Sequence, residues 1–149
     1  MLQGDVAACF FNLPDTVKIR SNNSMHFLSR VMNYMKYDAS VAGNHDIEAG
    51  HTIYDRIFKE LKMPYLAANA IDIKSGKPYF NEYAILHKNH LKIAVIGMIT
   101  HNIDMWLDKS LYSGIKFVPP VNITDSLVKV IREREEPDIV VIALHSGIG

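Results

Sequence analysis

Hydrophobic positions along the chain follow a helical period in three segments. Apolar residues recur every three or four positions in residues 24–37, 48–61 and 123–135, a spacing that places them on one face of an α-helix. Pro64 follows the second segment closely, as proline often does after a helix ends. In the third segment the inner face is predicted to contain four residues: Ile123, Leu127, Val130 and Ile131.

Short apolar runs lie between the predicted helices and predict strands. The runs SVAG, YLAA and VVIAL are apolar nearly throughout, as in strands covered on both faces. Residues 80–87 and 91–99 flank the tripeptide KNH and predict a β-hairpin, and IKFV at 115–118 predicts a further short strand. Strands that alternate with helices, together with a hairpin, predict an α/β fold with mixed sheets covered by helices.

The composition fits one globular domain and narrows the classes of ligand. Of the 149 residues, 48% are hydrophobic and 21% are charged, which is enough apolar material to bury a core. Lys plus Arg and Asp plus Glu number 16 each, so no net charge attracts duplex nucleic acid or an anionic membrane. The single cysteine, Cys9, excludes an internal disulfide and a Cys-rich zinc site. No apolar run approaches the roughly 18 residues that a membrane-spanning helix needs.

Four predicted strands end at polar groups that can bind a ligand: Asn44-His45-Asp46, Asn69, Thr100-His101 and His145-Ser146. In open α/β sheets, ligands lie outside the carboxyl ends of the strands, so these groups are predicted to converge on one edge. Each group also has a purely structural interpretation, such as an Asx-turn for Asn69. That interpretation is weakest for Asn44 and His45, because glycines flank their segment on both sides. The other histidines are predicted to be surface residues: His26, His51, His87 and His90.

The C-terminal segment HSGIG admits two other functional interpretations. Gly147 and Gly149 match the first half of a glycine-rich dinucleotide loop, but that motif needs a third glycine and a following helix. Ser146 lacks the Gly-x-Ser-x-Gly context of a serine hydrolase.

Four sequence blocks resemble, in the same order, the blocks of one enzyme family. Gly43-Asn44-His45-Asp46 resembles the Gly-Asn-His-Glu/Asp block of the calcineurin-like metallophosphoesterases. MPYLAANA, LKIAVIGMIT and DIVVIALHSGIG are similar to the FP-x-L-x-A-N, K-I-G-x-I-G-x-x-T and D-x-I-I-x-L-x-H-x-G segments of its 5′-nucleotidase and 2′,3′-cyclic-nucleotide 2′-phosphodiesterase branch. The blocks cover nearly the whole chain. The resemblance therefore implies a layered α/β metallophosphoesterase sandwich.

The resemblance also implies roles for the polar residues of the first block. Such enzymes hold two divalent metal ions, for example Zn, Mn or Fe, roughly 3.5–4 Å apart around a phosphoryl group and a water. Asn44 and His145 would both ligate the second ion. His45 would face the phosphoryl oxygens, stabilising charge or protonating the leaving oxygen. Glu48 stands where the family often has an Asp and would orient His45, whereas Asp46 would serve the turn.

Other blocks of the family have no counterpart in residues 1–149. The Asp-x-His and Gly-Asp blocks, which supply the first metal site and the bridging carboxylate, are expected before MLQG. The Gly-His-x-His block and a C-terminal nucleotide-binding domain are expected after Gly149. Residues 1–149 are therefore predicted to be the interior of a catalytic domain, incomplete at both ends and inactive alone.

The predicted parent protein hydrolyses nucleoside monophosphates or cyclic nucleotide phosphodiesters by attack of metal-activated water. The resemblance implies a periplasmic or cell-surface location. The alternative is a non-catalytic nucleotide- or partner-binding module of the same fold. No pattern in the sequence predicts the oligomeric state.

Overall fold

The computed structural model describes residues 2–3 and 25–147, so Cys9 and Gly149 lie outside the described residues. The dinucleotide-loop interpretation depends on Gly149 and therefore also lies outside the described residues. The described strands are β1 (Leu2–Gln3), β2 (Ser40–Val41), β3 (Tyr65–Leu66), β4 (Ala70–Asp72), β5 (Tyr83–Lys88), β6 (Leu91–Ile99), β7 (Ile115–Phe117) and β8 (Ile139–His145). The helices are α1 (Phe27–Met35), α2 (Asn44–Glu48), α3 (His51–Glu60), α4 (Ile103–Trp106) and α5 (Val121–Glu135), and a 3₁₀ turn spans Lys109–Tyr112.

The described strands form three sheets of mixed direction. In the first, β2 lies between β1 and β3 and is parallel to both. In the second, β4 and β7 form an antiparallel ribbon. In the third, β6 is antiparallel to β5 and parallel to β8, with Ile99 opposite His145. The predicted α/β class with mixed sheets is confirmed.

The first and third sheets pack face to face, and helices cover their outer faces. One buried cluster draws residues from both sheets: Ala39, Val41, Leu66, Ala84, Val95 and Ala143. The side chains of β3 alternate, so that Tyr65 joins the cluster beneath α3 while Leu66 faces the third sheet. Ile131 of α5 is buried against Ala94 and Ile96 of β6. The result is the layered sandwich that the sequence predicts.

Two predicted helices differ from the observed ones at their ends. Residues 24–37 contain only the nine-residue α1, because Nδ1 of His26 accepts a hydrogen bond from the Leu28 backbone N–H at 3.3 Å and caps the helix there. His26 is 2% exposed, so its prediction as a surface residue is wrong. Residues 48–61 contain α3 and only the last residue of α2, since Gly50 has φ 75° and interrupts the helical backbone between the two helices.

The C-terminal part of the sheet is less covered than the sequence predicts. In α5, Ile131 is buried and Ile123 and Leu127 pack on it, but Val130 is 43% exposed because the helix is rolled toward Val128. In β8, three of the apolar side chains are 42–46% exposed: Ile139, Ile142 and Leu144. The strand pairs only with β6 among the described strands, so it forms the edge of its sheet.

The hairpin between β5 and β6 closes through a two-residue turn. Asn89 and His90 have φ angles of 47° and 68°, the pair of positive values that defines a type I′ turn. This turn follows the right-handed twist of the flanking strands and fixes Lys88 opposite Leu91. The predicted hairpin about KNH is confirmed, as is the exposure of His87 and His90. None of the helices within residues 25–147 has the length and apolar character required to traverse a bilayer.

Candidate active site

Asn44 and His145 lie together at the carboxyl ends of two different sheets. Asn44 begins α2 three residues after β2, and His145 is the last residue of β8. The Oδ1 atom of Asn44 and the Nε2 atom of His145 are 2.9 Å apart, although the residues are 101 positions apart in sequence. Both residues are half-buried. The structure therefore brings together the two residues predicted to share one metal ion.

The turn that carries Asn44 is held by backbone geometry and by one buried carboxylate. Gly43 is the N-cap of α2, and its backbone N–H donates to Oδ2 of Asp46 at 2.8 Å. Asp46 is 2% exposed, so it cannot meet solvent or a ligand while it makes this contact. Its place agrees with the predicted turn role, and it fixes the direction in which Asn44 and His45 leave the backbone.

His45 and Glu48 form a pair on the exposed side of α2. Nδ1 of His45 lies 2.7 Å from Oε2 of Glu48, three residues and about one helical turn away. Their side chains are 47% and 37% exposed. The carboxylate accepts a hydrogen bond from the Nδ1–H and so favours the ring tautomer in which Nε2 is the other functional nitrogen. The longer Glu side chain therefore reaches the ring from the position where the family often has Asp.

The remaining polar groups at strand ends do not join this pair. Asn69 is fully buried and donates from Nδ2 to the carbonyls of Ile99 at 2.7 Å and Val118 at 2.8 Å. Its Oδ1 accepts from the Ile99 N–H at 2.9 Å, so the amide joins strand ends and makes neither a ligand nor an Asx-turn. His101 and Ser146 are exposed. The Thr100 N–H donates to the His145 carbonyl at 2.8 Å, so the backbone that follows β6 also reaches this edge. The carboxyl ends of β2, β6 and β8 therefore meet there, and the side-chain contact is the one between Asn44 and His145.

The donor atoms of Asn44 and His145 suit a divalent ion. An amide oxygen and an imidazole nitrogen are ligands for Zn, Mn or Fe ions. Their 2.9 Å separation is that of neighbouring ligands on one ion with metal–ligand distances of about 2.1 Å. Within residues 2–3 and 25–147, however, no group of three or more His, Cys, Asp or Glu side chains is placed to hold a metal ion. The two donors fit part of a metal site.

A second polar cluster, which the sequence did not predict, lies at the start of α3. Nδ1 of His51 is 3.1 Å from Oδ2 of Asp55, and the Tyr79 hydroxyl donates to Oδ1 of Asp55 at 2.8 Å. Nε2 of His51 is 2.9 Å from the Ser113 carbonyl oxygen. Burial, together with the Asp55 carboxylate, raises the pKa of Tyr79, so its hydroxyl stays protonated. His51 therefore links α3 to the segments of Tyr79 and Ser113 by hydrogen bonds. Its side chain is half-buried, so its prediction as a surface residue is wrong.

Comparison with known proteins finds relatives whose similarity covers most of this chain. No family model matches the chain. It is 31% identical over 118 residues to protein UshA of Escherichia coli K12, covering 79% of this chain and 22% of that protein. It is 32% identical over 138 residues to the 2′,3′-cyclic-nucleotide 2′-phosphodiesterase/3′-nucleotidase of Salmonella typhimurium, covering 85% and 21%. In this region the chain belongs to the 5′-nucleotidase and cyclic-nucleotide phosphodiesterase family.

Solved structures of this family share the fold. A putative 5′-nucleotidase from Staphylococcus aureus superposes with a TM-score of 0.79 at 21% identity, over 98% of this chain and 28% of that protein. The calcineurin-like phosphoesterase YfkN from Bacillus subtilis gives a TM-score of 0.75 at 24% identity, over 98% and 47%. The chain spans about a fifth of the length of the curated relatives it matches.

Proposed function

We propose that residues 1–149 are part of a catalytic domain that hydrolyses nucleoside monophosphates or cyclic nucleotide phosphodiesters with two divalent metal ions. Asn44 and His145 would hold one ion, and the residues for the other belong to a longer protein. When bound, such ions polarise the phosphoryl group and supply an activated water. The contact between Asn44 Oδ1 and His145 Nε2 carries the proposal, because it joins predicted ligands that are 101 positions apart in sequence.

His45 is the proposed general acid and phosphate-binding group. Glu48 accepts a hydrogen bond from the Nδ1–H of His45, which holds the ring in one orientation and makes Nε2 the nitrogen that would act on the substrate. From Nε2 the ring can donate a hydrogen bond to a phosphoryl oxygen or a proton to the leaving oxygen. Because the side chain is about half exposed, it is accessible to a substrate from solvent.

Paramagnetic broadening by Mn²⁺ tests the metal-binding part of the proposal. Mn²⁺ added to ¹⁵N-labelled chain should broaden the amide signals around Asn44 and His145 before those of other residues. We expect weak binding and no turnover of 5′-AMP or 2′,3′-cyclic AMP, because two protein ligands seldom hold an ion tightly. Asn44→Ala and His145→Ala should each weaken the broadening about tenfold or more.

His45→Ala separates the two proposed roles and His101→Ala is the matched control. His45→Ala should leave Mn²⁺ broadening unchanged, and so should loss of the exposed His101 at the neighbouring strand end. Broadening that depends on His45 and not on His145 would contradict the assigned ligands. A longer protein that contains this chain should lose turnover by about 10²-fold or more with His45→Ala. Nucleotide binding without hydrolysis in that protein would favour the non-catalytic module instead.

The periplasmic or cell-surface location belongs to the same proposal. Its support is the family relationship to UshA and to the nucleotidases. Fractionation of cells that produce the longer protein checks it.

A further inference from the structure

A groove with an unusual lining lies at the opposite end of the first sheet from the candidate active site. It has a volume of about 650 Å³ and runs along α1 to Lys62. The chain passes from α1 into the amino end of β2, whereas Asn44 follows the carboxyl end of β2. The groove, which we call the α1 groove, is therefore separate from the pair formed by Asn44 and His145. The described residues that line it are Met25, Phe27, Arg30, Val31, Asn33, Tyr34, Lys36 and Lys62.

Two aromatic side chains of the α1 groove are largely exposed to solvent. Phe27 is 61% exposed and Tyr34 is 87% exposed. They are seven residues apart on α1 with Arg30 between them, so all three lie on one face of the helix. The buried face of α1, with Leu28 and Met32, already supplies its packing against α3. Exposed aromatic surface beside a concavity marks a binding surface more often than a stability element.

The charge of the α1 groove has one sign. Arg30, Lys36 and Lys62 line it, no described acidic side chain does, and none of the three forms an ion pair with a described residue. Lys36 and Lys62 also line an adjoining depression. The acidic residue that lines this depression, Asp38, forms an ion pair with Lys88 at 2.7 Å. Cations held close together repel each other, and an anion between them removes that repulsion.

Asn33 fixes the position of the Lys62 backbone relative to α1. Its Nδ2 donates to the Glu60 carbonyl at 2.9 Å, and its Oδ1 accepts from the Lys62 N–H at 2.8 Å. The amide therefore fixes the backbone of Lys62 against α1. The same helix carries the aromatic side chains of Phe27 and Tyr34. A site that is fixed before the ligand arrives loses less entropy on binding.

We propose that the α1 groove is a binding site for a nucleoside monophosphate, with the base on the aromatic side chains and the phosphate on the cations. The volume is that of a small-molecule pocket. Tyr34 and Phe27 supply exposed faces on which any base can stack. Arg30, Lys36 and Lys62 supply donors for phosphate oxygens. Binding at this groove is independent of the metal ions and of hydrolysis.

Titration of the ¹⁵N-labelled chain with adenosine 5′-monophosphate in the presence of EDTA tests the proposal. Saturable shifts should appear at the amides of residues 27–36 and 62 and not around Asn44 or His145. Adenosine and inorganic phosphate should each bind about tenfold more weakly or worse, because each lacks half of the ligand. Raising the salt concentration should weaken adenosine monophosphate binding and leave adenosine binding nearly unchanged.

Two double variants assign the two halves of the ligand. Lys36→Gln/Lys62→Gln should reduce the affinity for adenosine monophosphate to that for adenosine, and Phe27→Ser/Tyr34→Ser should reduce it about tenfold or more. The control Lys74→Gln/Lys129→Gln removes two exposed lysines outside the groove and should change nothing. All these side chains are exposed, and the ¹⁵N spectrum reports whether each variant is folded.

Several results would overturn the proposal. They are equal affinity for adenosine and adenosine monophosphate, shifts confined to residues outside the groove, or affinity that survives both double variants. Association with vesicles of anionic lipid, without binding of adenosine monophosphate, would identify a membrane-facing surface and would also overturn it. Because EDTA removes divalent ions, each result stands whether or not the phosphoesterase proposal holds.

Discussion

The Asn69 side chain provides partners for three backbone groups that two separate segments bring into the core. It bonds to the N–H and the carbonyl of Ile99 and to the carbonyl of Val118, and it is fully buried. Asn69→Ala should leave these groups without partners and lower the free energy of unfolding by about 3–5 kcal/mol. Urea denaturation measures the change.

An exposed asparagine provides the comparison for this prediction. Asn122 lies in the first turn of α5 and is exposed. Asn122→Ala should change stability by about 0.5 kcal/mol or less. Equal effects of the two substitutions would mean that the Asn69 hydrogen bonds contribute no net stability.

Residue types in the first block single out candidate site residues in the sequence, whereas the observed role of Asn69 could not be predicted. Gly43, Asn44 and His45 are adjacent in sequence, so they form a local pattern that can be recognised without the structure. The partners of Asn69 lie 30 and 49 positions away, and no local pattern names them. The same holds for His51, whose carbonyl partner is 62 positions away.

At the scale of elements, α1 is held to α3 by polar contacts that centre on Glu60. Oε1 of Glu60 accepts from Arg56 Nε at 2.8 Å, and Oε2 accepts from the His26 N–H at 2.7 Å. Desolvation raises the pKa of Glu60, but the hydrogen bonds from Arg56 and His26 and the charge of Arg56 outweigh it and lower the pKa. The ionised carboxylate therefore stabilises the junction of the two helices.

The lowered pKa of Glu60 predicts the pH dependence of this junction. Its contribution is present above the pKa that the carboxyl has in the unfolded chain and is lost as the pH falls through the folded pKa. Glu60→Gln should cost about 1 kcal/mol at pH 7 and less near pH 3, as the carboxylate becomes protonated. Denaturation at both pH values measures it, with the exposed Glu133→Gln as control. A constant difference between pH 3 and 7 would contradict the role of the charge.

Periodicity predicted most helices and strands but not their ends. The helix in residues 24–37 begins at Phe27 because a histidine caps it, and histidine is not among the preferred capping residues. The helix in residues 48–61 begins at His51, after Gly50, whose positive φ the apolar pattern does not reveal. The hairpin was predictable because its turn and both strands are contiguous in sequence.

At the scale of the whole molecule, the close approach of the two packed sheets depends on Gly97. A Cβ atom at this position of β6 would lie 2.2 Å from Leu66 Cβ and 2.9 Å from the Leu66 carbonyl oxygen. The Gly97 carbonyl also accepts from the Ala68 N–H at 2.8 Å. Gly97→Ala should force the sheets apart and cost about 3 kcal/mol or more in chemical denaturation.

A second glycine shows whether any effect is specific to this contact. Gly147 has no heavy atom within 4 Å of the position of an added Cβ. Gly147→Ala should therefore change stability by about 0.5 kcal/mol or less. If Gly97→Ala had an equally small effect on stability, it would contradict the close packing of the two sheets at Gly97.

The separation of Asn44 and His145 also orders events during synthesis. His145 is added 101 residues after Asn44, which takes about 5–20 s at ribosomal rates. Local pieces such as the β5–β6 hairpin form in microseconds once their residues emerge, but β8 must still dock beside β6 before the two donors meet. A nascent chain therefore carries Asn44 for seconds without its partner, and the paired donors exist only after the last strand is in place.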